Sequence, residues 1–383
     1  MRLRKKVKNF LIVLLLCCLS AILGFYIQRK MNYKNEYVDV VYKTVNTEVV
    51  NNASLVMVGD ALMHMAVVNA YKSGNSYNFD GMFKYIGPIV KEYDLAYYNQ
   101  ETILGGTGIK LSGYPQFNSP QQVGDAFIKA GFNLVSLATN HTMDKYYLTG
   151  GKTITNSVNY WKSKKDDVYA AGSYLSQEEH DEVVIKEVNG ITYGFLSYTE
   201  QTNGLAVPSG KSYLCNVYNK DKVKKDVEKY RSKVDLLIVA MHWGEEYTNT
   251  PTSGEKEKAK YLASLGVDII IGCHPHVIQP MTYIGNTLVV YSLGNFVSNQ
   301  SGYNKLTGLL ASCNIEKRTY HGKTTLTVKD ATAEFIYTNK NDHYIVYPYS
   351  KLNNNILSGY KNYYEKFKKI MTSMSNKITV KGL

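Results

Sequence analysis

Six short apolar runs constrain this chain of 383 residues more than any other feature, because each stops on a polar side chain able to hold a ligand. They are 54–59 (SLVMVG), 94–99 (DLAYYN), 132–138 (FNLVSLA), 235–241 (DLLIVAM), 268–272 (DIIIG) and 287–293 (TLVVYSL). None alternates strictly between apolar and polar residues, which predicts strands buried on both faces. Between them, 121–130, 149–164, 220–231 and 255–265 read as helices. The runs 183–188 and 191–197 flank Asn189-Gly190, a dipeptide suited to the type I′ turn of a hairpin. The pattern predicts an α/β chain with a mixed sheet. Beyond residue 305, the β-rich runs 309–315 and 324–337 are expected to extend the same sheets. A Lys/Tyr-rich helix near 354–375, with Lys361, Lys366, Lys368 and Lys369, reads most simply as a solvated face, with contact to anionic wall or lipid headgroups as the alternative.

In open α/β sheets, ligands bind outside the carboxyl ends of the strands. Here Asp60 follows the first run, Asn99 and Glu101 the second, and Asn140, His141 and Asp144 the third. His242 closes the fourth, His274 and His276 follow the fifth, and Asn295 follows the sixth. With His64, five of the eight histidines fall in these positions, whereas His180, His321 and His343 read as surface residues. Taken singly, each has an ordinary explanation. An Asp after a strand commonly caps a helix, and an Asn tolerates a left-handed turn. Taken together, the groups point to a divalent metal site. Oxygen and imidazole donors, with Cys273 the one thiol among them, suit one or two ions of Mn, Fe or Zn rather than Cu(I). Cys273 itself reads as a small buried residue. Such donors must be free of protons, so occupancy is expected to fall below about pH 6.

The net charge of +12 suggests nucleic acid until it is located. Eight basic residues and no acidic one lie in the first 34, leaving 36 basic against 32 acidic beyond them, so no nucleic-acid partner is expected. Residues 10–27 (FLIVLLLCCLSAILGFYI) carry no charge and are long enough at helical rise to cross a bilayer core of about 30 Å. Five basic residues precede the run, which predicts a cytoplasmic tail over 1–9 and the bulk of the chain outside the cell. A cleaved signal is the competing reading, but its apolar region would be shorter and end on an A-x-A-like site. A lipoprotein would need a small residue where Leu16 precedes Cys17 and Cys18. Residues 28–52 then read as a stalk or first strand, 53–300 as the main domain, and 301–383 as a β-rich extension with its basic helix. Cys215, Cys273 and Cys313 are too few and too odd in number for a disulfide framework.

The blocks GDALMH (59–64), DLAYYNQET (94–102), GFNLVSLATNHTMD (131–144), HWGEEY (242–247), GCHPHVIQP (272–280) and YSLGNF (291–296) resemble, in order, those of the CapA family. These are capsule-synthesis proteins associated with poly-γ-glutamate. The resemblance spans about 53–300 and implies the calcineurin-like metallophosphoesterase fold, with helices packed on two mixed β-sheets. It also implies metal ligation by Asp60, Glu101, Asn140, His242, His274 and His276. Catalytic roles would fall to His141, Asp144 and Glu101, with His141 as acid or electrostatic stabiliser beside the substrate oxygens. Asn99, His64 and Asn295 would form the surrounding support. Two departures accompany it. Leu62 stands two residues after Asp60, where metallophosphoesterases generally place a His, which leaves the choice between one metal and two open. Asp144-Lys145-Tyr146 lacks the Gly that commonly follows the Asp.

Three functions fit these residues. The first is a membrane-anchored factor making or processing an anionic surface polymer, together with other capsule-synthesis membrane proteins. The second is a surface phosphatase or phosphodiesterase. The third is a non-catalytic scaffold that binds polymer. No Walker A loop, Gly-x-Ser-x-Gly elbow or dinucleotide fingerprint is present, so the energy for any polymerisation must come from other proteins.

Overall fold

The computed structural model describes residues 2–383. It opens with helix α1, Arg2–Asn46, whose apolar side chains between residues 3 and 36 are exposed (Phe10 67%, Leu19 54%). By length and composition this helix can cross a membrane. The segment read as stalk or strand is therefore helical as far as Asn46. Two compact units divide the chain. One runs to Val50 and includes Arg318–Thr325; the other comprises Asn51–Lys317 and Leu326–Leu383.

The second unit is built around two sheets. Strands β1 (Val49–Ala61), β2 (Leu95–Asn99), β3 (Leu134–Ser136) and β4 (Tyr169–Ala171) lie side by side and parallel. A hairpin, β5 (Lys186–Val188) and β6 (Ile191–Thr199), opens the other sheet. There β6 runs parallel to β7 (Leu236–His242), and β7 to β8 (Ile269–Cys273). Strands β9 (Met281–Ile284) and β10 (Thr287–Val290) complete its six. The first sheet takes in β11 (Asn295–Val297) and the long β12 (Thr307–Tyr320) and β13 (Lys323–Asn339). With β14 (Ile345–Pro348) and β15 (Thr379–Val380) it reaches nine strands. The C-terminal β segment thus shares a sheet with β1, as its composition suggested. Asn189 and Gly190 take φ of 50° and 79° at the hairpin turn, as a type I′ turn requires.

The missing alternation has a simple cause. Leu55 and Met57 of β1 join Ile238 of β7 and Ile269 of β8 in the core between the sheets, while Val56 and Val58 pack on the opposite face. Helices α2 (Gln122–Ala130) and α3 (Lys152–Ser163) cover the first sheet through Phe127 and Trp161. Helices α4 (Lys220–Arg231) and α5 (Ser253–Ser264) cover the second through Val227 and Leu262. The order of layers is helix, sheet, sheet, helix. Helix α6 (Tyr360–Met371) is shorter than the expected basic segment and buries Tyr364, Phe367 and Met371 beneath its exposed lysines.

Three expectations need correction. The run 287–293 is a strand only to Val290, and Asn295 opens its own strand, β11, pairing with β1. Strand β4 escaped notice because it lies in no longer apolar run, unlike the equally short β3 within 132–138. His180 is not a surface group: its side chain is 6% exposed and its ring contacts Gln177 and Lys222.

Candidate metal centre

The parallel registers bring the strand ends to one place. Asp60 stands beside Asn99 of β2 on one side and Asn295 of β11 on the other. In the second sheet, His242 ends β7 level with Cys273 of β8, so His274 emerges next to it. His274 and His276 reach the centre only because their backbones adopt φ of 99° and 58°, on either side of Pro275. For residues other than Gly this costs about 1–3 kcal/mol each, and such strain concentrates at functional sites.

Two groups of donors share one carboxylate. The ligand atoms of Asp60, Glu101 and His276 lie within 4.8 Å of one another, and all three residues are buried. His276 Nδ1 is 3.5 Å from Asp60 Oδ2, and His276 Nε2 is 3.6 Å from Glu101 Oε1. In the other group, His242 Nε2 is 3.0 Å from Asn140 Oδ1 and 3.2 Å from His274 Nδ1. Glu101 Oε1 is 3.9 Å from that same Nε2 and so lies between the groups. Around them, Asn99 Nδ2 donates to Asp60 Oδ1 at 2.7 Å, and the His274 N–H donates to Asp60 Oδ2 at 3.2 Å. Asn295 Oδ1 sits 2.9 Å from His276 Nδ1 and orients that ring.

These residues fit a divalent cation. Both carboxylate oxygens of Glu101 are buried and neither accepts a hydrogen bond, although buried polar groups are almost always satisfied. A bound cation would supply the missing partner. Burial pushes the Glu101 carboxyl well above its usual range, with His276 opposing and Asp60 adding to the shift. Burial would lower His276, but Glu101 and Asp60 outweigh it and hold that imidazole up at about 9. Burial lowers His242 well below the ordinary imidazole value, with His274 and His276 adding to the effect. It also brings His274 down to about 4. His242 and His274 are thereby neutral donors at neutral pH.

A cleft of about 470 Å³ adjoins this centre. His141 and Asp144 lie in its wall, with His141 Nδ1 2.7 Å from Asp144 Oδ2. The same oxygen accepts the Phe117 N–H at 2.7 Å. Lys145 takes φ of 57°, so the chain makes the left-handed turn that a Gly would take more cheaply. His64 also lines the cleft but belongs to neither donor group: its Nδ1 is 3.2 Å from Leu62 O and 3.3 Å from the Asn299 N–H. Leu62 is 3% exposed and lines the cleft without a donor. Cys273 belongs to the core between the sheets, with Sγ 3.8 Å from Tyr97 OH.

The profile described as "Bacterial capsule synthesis protein PGA_cap" matches residues 54–300, well over half of the chain. The chain belongs to this capsule-synthesis family. Two relatives are similar to it over about 255 residues. One is the capsule biosynthesis protein CapA of Bacillus anthracis, 29% identical over 64% of this chain and 60% of that protein. The other is the PGA biosynthesis protein CapA of Bacillus subtilis, 28% identical over 63% of this chain and 62% of that protein. The match thus covers less than two thirds of either relative. Among solved structures, a calcineurin-like phosphoesterase of Bacillus subtilis aligns with TM-score 0.48 at 15% identity, over 75% of this chain and 91% of that one.

The structure adds neighbours of these residues that sequence reasoning passed over. Asn203 Oδ1 accepts from Asn140 Nδ2 at 3.3 Å, and its own Nδ2 lies 3.4 Å from His141 Nδ1. Tyr247 stacks on His276 with centroids 6.0 Å apart. Glu200 Oε2 accepts the Gly244 N–H at 2.8 Å, and its backbone N–H donates to His242 O at 3.0 Å, bracing the loop after β7. The Asn203-Gly204 dipeptide was a visible turn signal. Nothing in the sequence placed that turn over the site.

Proposed function

We propose that this chain is a membrane-anchored factor that synthesises or processes a poly-γ-glutamate-type capsule polymer, through a divalent metal held at the strand ends. Its globular unit would lie outside the cell, working with other capsule-synthesis membrane proteins. The observation that carries the reading is Glu101, a buried carboxylate without a hydrogen bond, set among Asp60, His276 and His242. Asp60, Glu101 and His276 would hold the ion, with His242, His274 and Asn140 completing the set or holding a second. The ion, when bound, supplies Lewis acidity toward an amide or ester oxygen and activates water. The protein's own contribution is positional. Asp144 fixes His141 through Nδ1, which leaves Nε2 to deliver a proton to the departing group. Asn203 Nδ2 lies beside the same ring, 3.4 Å from Nδ1.

The test is metal analysis of the detergent-solubilised full chain, followed by assays on γ-glutamyl polymer and on phosphoesters. Bound Mn, Fe or Zn with cleavage of the polymer supports the reading. Turnover of phosphoesters alone would make the protein a phosphatase or phosphodiesterase, and polymer binding without turnover would make it a scaffold. Protease added to intact cells should digest the globular unit and leave a short membrane-bound stub; protection would reverse the topology.

A further inference from the structure

The positive charge of this chain sits at its two ends. The first 34 residues carry eight basic groups and no acid, and residues 340–383 carry eight lysines against Asp342 and Glu365. The stretch between, 35–339, holds the remaining 28 basic and 30 acidic residues, and so is slightly negative. The basic N-terminus belongs to α1. The candidate metal centre makes no use of the C-terminal lysines. Among the described residues, Lys381 is the one of these eight with a carboxylate in salt-bridge reach, Glu334 at 3.5 Å.

This surface is joined to the cleft by a chain of contacts. Lys340 Nζ donates to Asn299 O at 3.0 Å and lies 3.4 Å from the carbonyl of Gln300, a cleft residue. Lys305 Nζ stands 4.6 Å over the ring of Tyr247, in the cleft wall. Two residues earlier, Tyr303 OH accepts from Lys366 Nζ at 3.0 Å, and its ring stacks on Tyr363 of α6 at 3.8 Å. Lysine and tyrosine thus alternate from the cleft wall to α6, where Lys361, Lys368 and Lys369 are exposed. The cleft itself is lined by Asp144 and Glu246 and by no lysine or arginine among the described residues. Apart from His276 at the metal centre, no basic side chain in the cleft wall meets an anionic chain, so attraction along the approach falls to lysines outside it.

We propose that this surface is a docking track for a flexible polycarboxylate, with the chain beyond the segment in the cleft lying across Lys305, Lys366 and the lysines of α6. The proposal rests on the polymer reading above and adds where the polymer is held. Compact ammonium groups on flexible stems suit spaced, mobile carboxylates, which need no rigid bidentate fork. One-signed charge along a surface raises the local concentration of an oppositely charged chain.

The test is binding of fluorescent poly-γ-glutamate to the detergent-solubilised full chain over a range of salt. A fourfold variant, Lys361→Gln, Lys366→Gln, Lys368→Gln and Lys369→Gln, should bind about tenfold more weakly or worse at low salt, with a shallower salt dependence. The matching Lys→Arg variant should bind like wild type, and both should keep wild-type melting and Mn affinity. Equal polymer affinity in the Gln variant and wild type overturns the track. So does a Gln variant that keeps the polymer but loses phosphatidylglycerol vesicles, which would make the face a membrane contact. Loss of polymer binding in the Gln variant, with no metal bound by any of the proteins, would support the track and sink only the metal reading.

Discussion

The two halves of the centre are built from different materials. Asp60, Glu101 and His276 form a charged half, in which carboxylates hold the imidazole up at about 9. His242, His274 and Asn140 form a neutral half, in which burial holds both imidazoles low. The first half keeps protons that an incoming cation must expel. The second is ready to donate as it stands. Proximity of ligand atoms therefore does not make two sites equivalent, because the surroundings decide which atoms are free at a given pH.

The largest expected effect breaks the charged half. Glu101→Gln should reduce Mn binding below detection in calorimetry, because it removes the carboxylate common to both groups. Its melting behaviour gives an independent check. Glu101 has a folded value above its ordinary one, so the folded protein binds more protons and the metal-free wild type loses stability as pH rises through that value. Glu101→Gln should lack this loss, and melts from pH 5 to 9 that run parallel would contradict the assignment.

Next comes pH itself. Displacing the His276 proton alone raises metal affinity about tenfold per pH unit, or about a hundredfold from pH 6 to 8, and the raised Glu101 carboxyl steepens the rise wherever it too holds a proton. The rise should flatten near pH 9, where His276 loses its proton unaided. This moves upward the break expected near pH 6 from ordinary imidazoles. His276 also contributes stability to the metal-free fold that is present below pH 6.5 and lost as pH climbs through about 9. A flat affinity between pH 6 and 8 would erase the distinction between the halves.

His242→Ala tests the neutral half. It should weaken binding about tenfold or more, a scale comparable to the 10–100-fold losses seen for outer-shell partners, while the charged half persists. Unchanged affinity would show that the neutral half holds no ion. The smallest effect on metal belongs to His141→Ala. Its ring is tied to Asp144 and neighbours the neutral half only through Asn203, which accepts from Asn140, so titration should give near wild-type affinity while turnover is lost. A matching fall in affinity would make His141 a ligand.

Much of this was readable along the chain, for a physical reason. Strands buried on both faces appear as unbroken apolar runs, so the polar residue that ends each one stands out, and Asp60, Glu101, Asn140, His242, His274 and His276 were all found that way. Strands β4 and β11 were not readable, because neither lies in an apolar run as long as the 132–138 run that holds the equally short β3. The basic segment after residue 354 looked solvated throughout, yet it buries Tyr364, Phe367 and Met371. His180 likewise has a polar sequence context but sits against Lys222, 42 residues away.

The sequence by itself determined the donor types, their order at the strand ends, and the apolar helix at the start. Those properties are local, set by composition and spacing over a few residues. Only the tertiary structure decided that Glu101 lies between two histidine groups and that His276 keeps its proton while His242 does not. It alone set Asn203 against His141 and ran a path of lysines and tyrosines from the cleft to α6. Each of these depends on which residues face one another across tens to hundreds of positions. Burial and neighbouring charge, which set protonation, exist only once those partners have met.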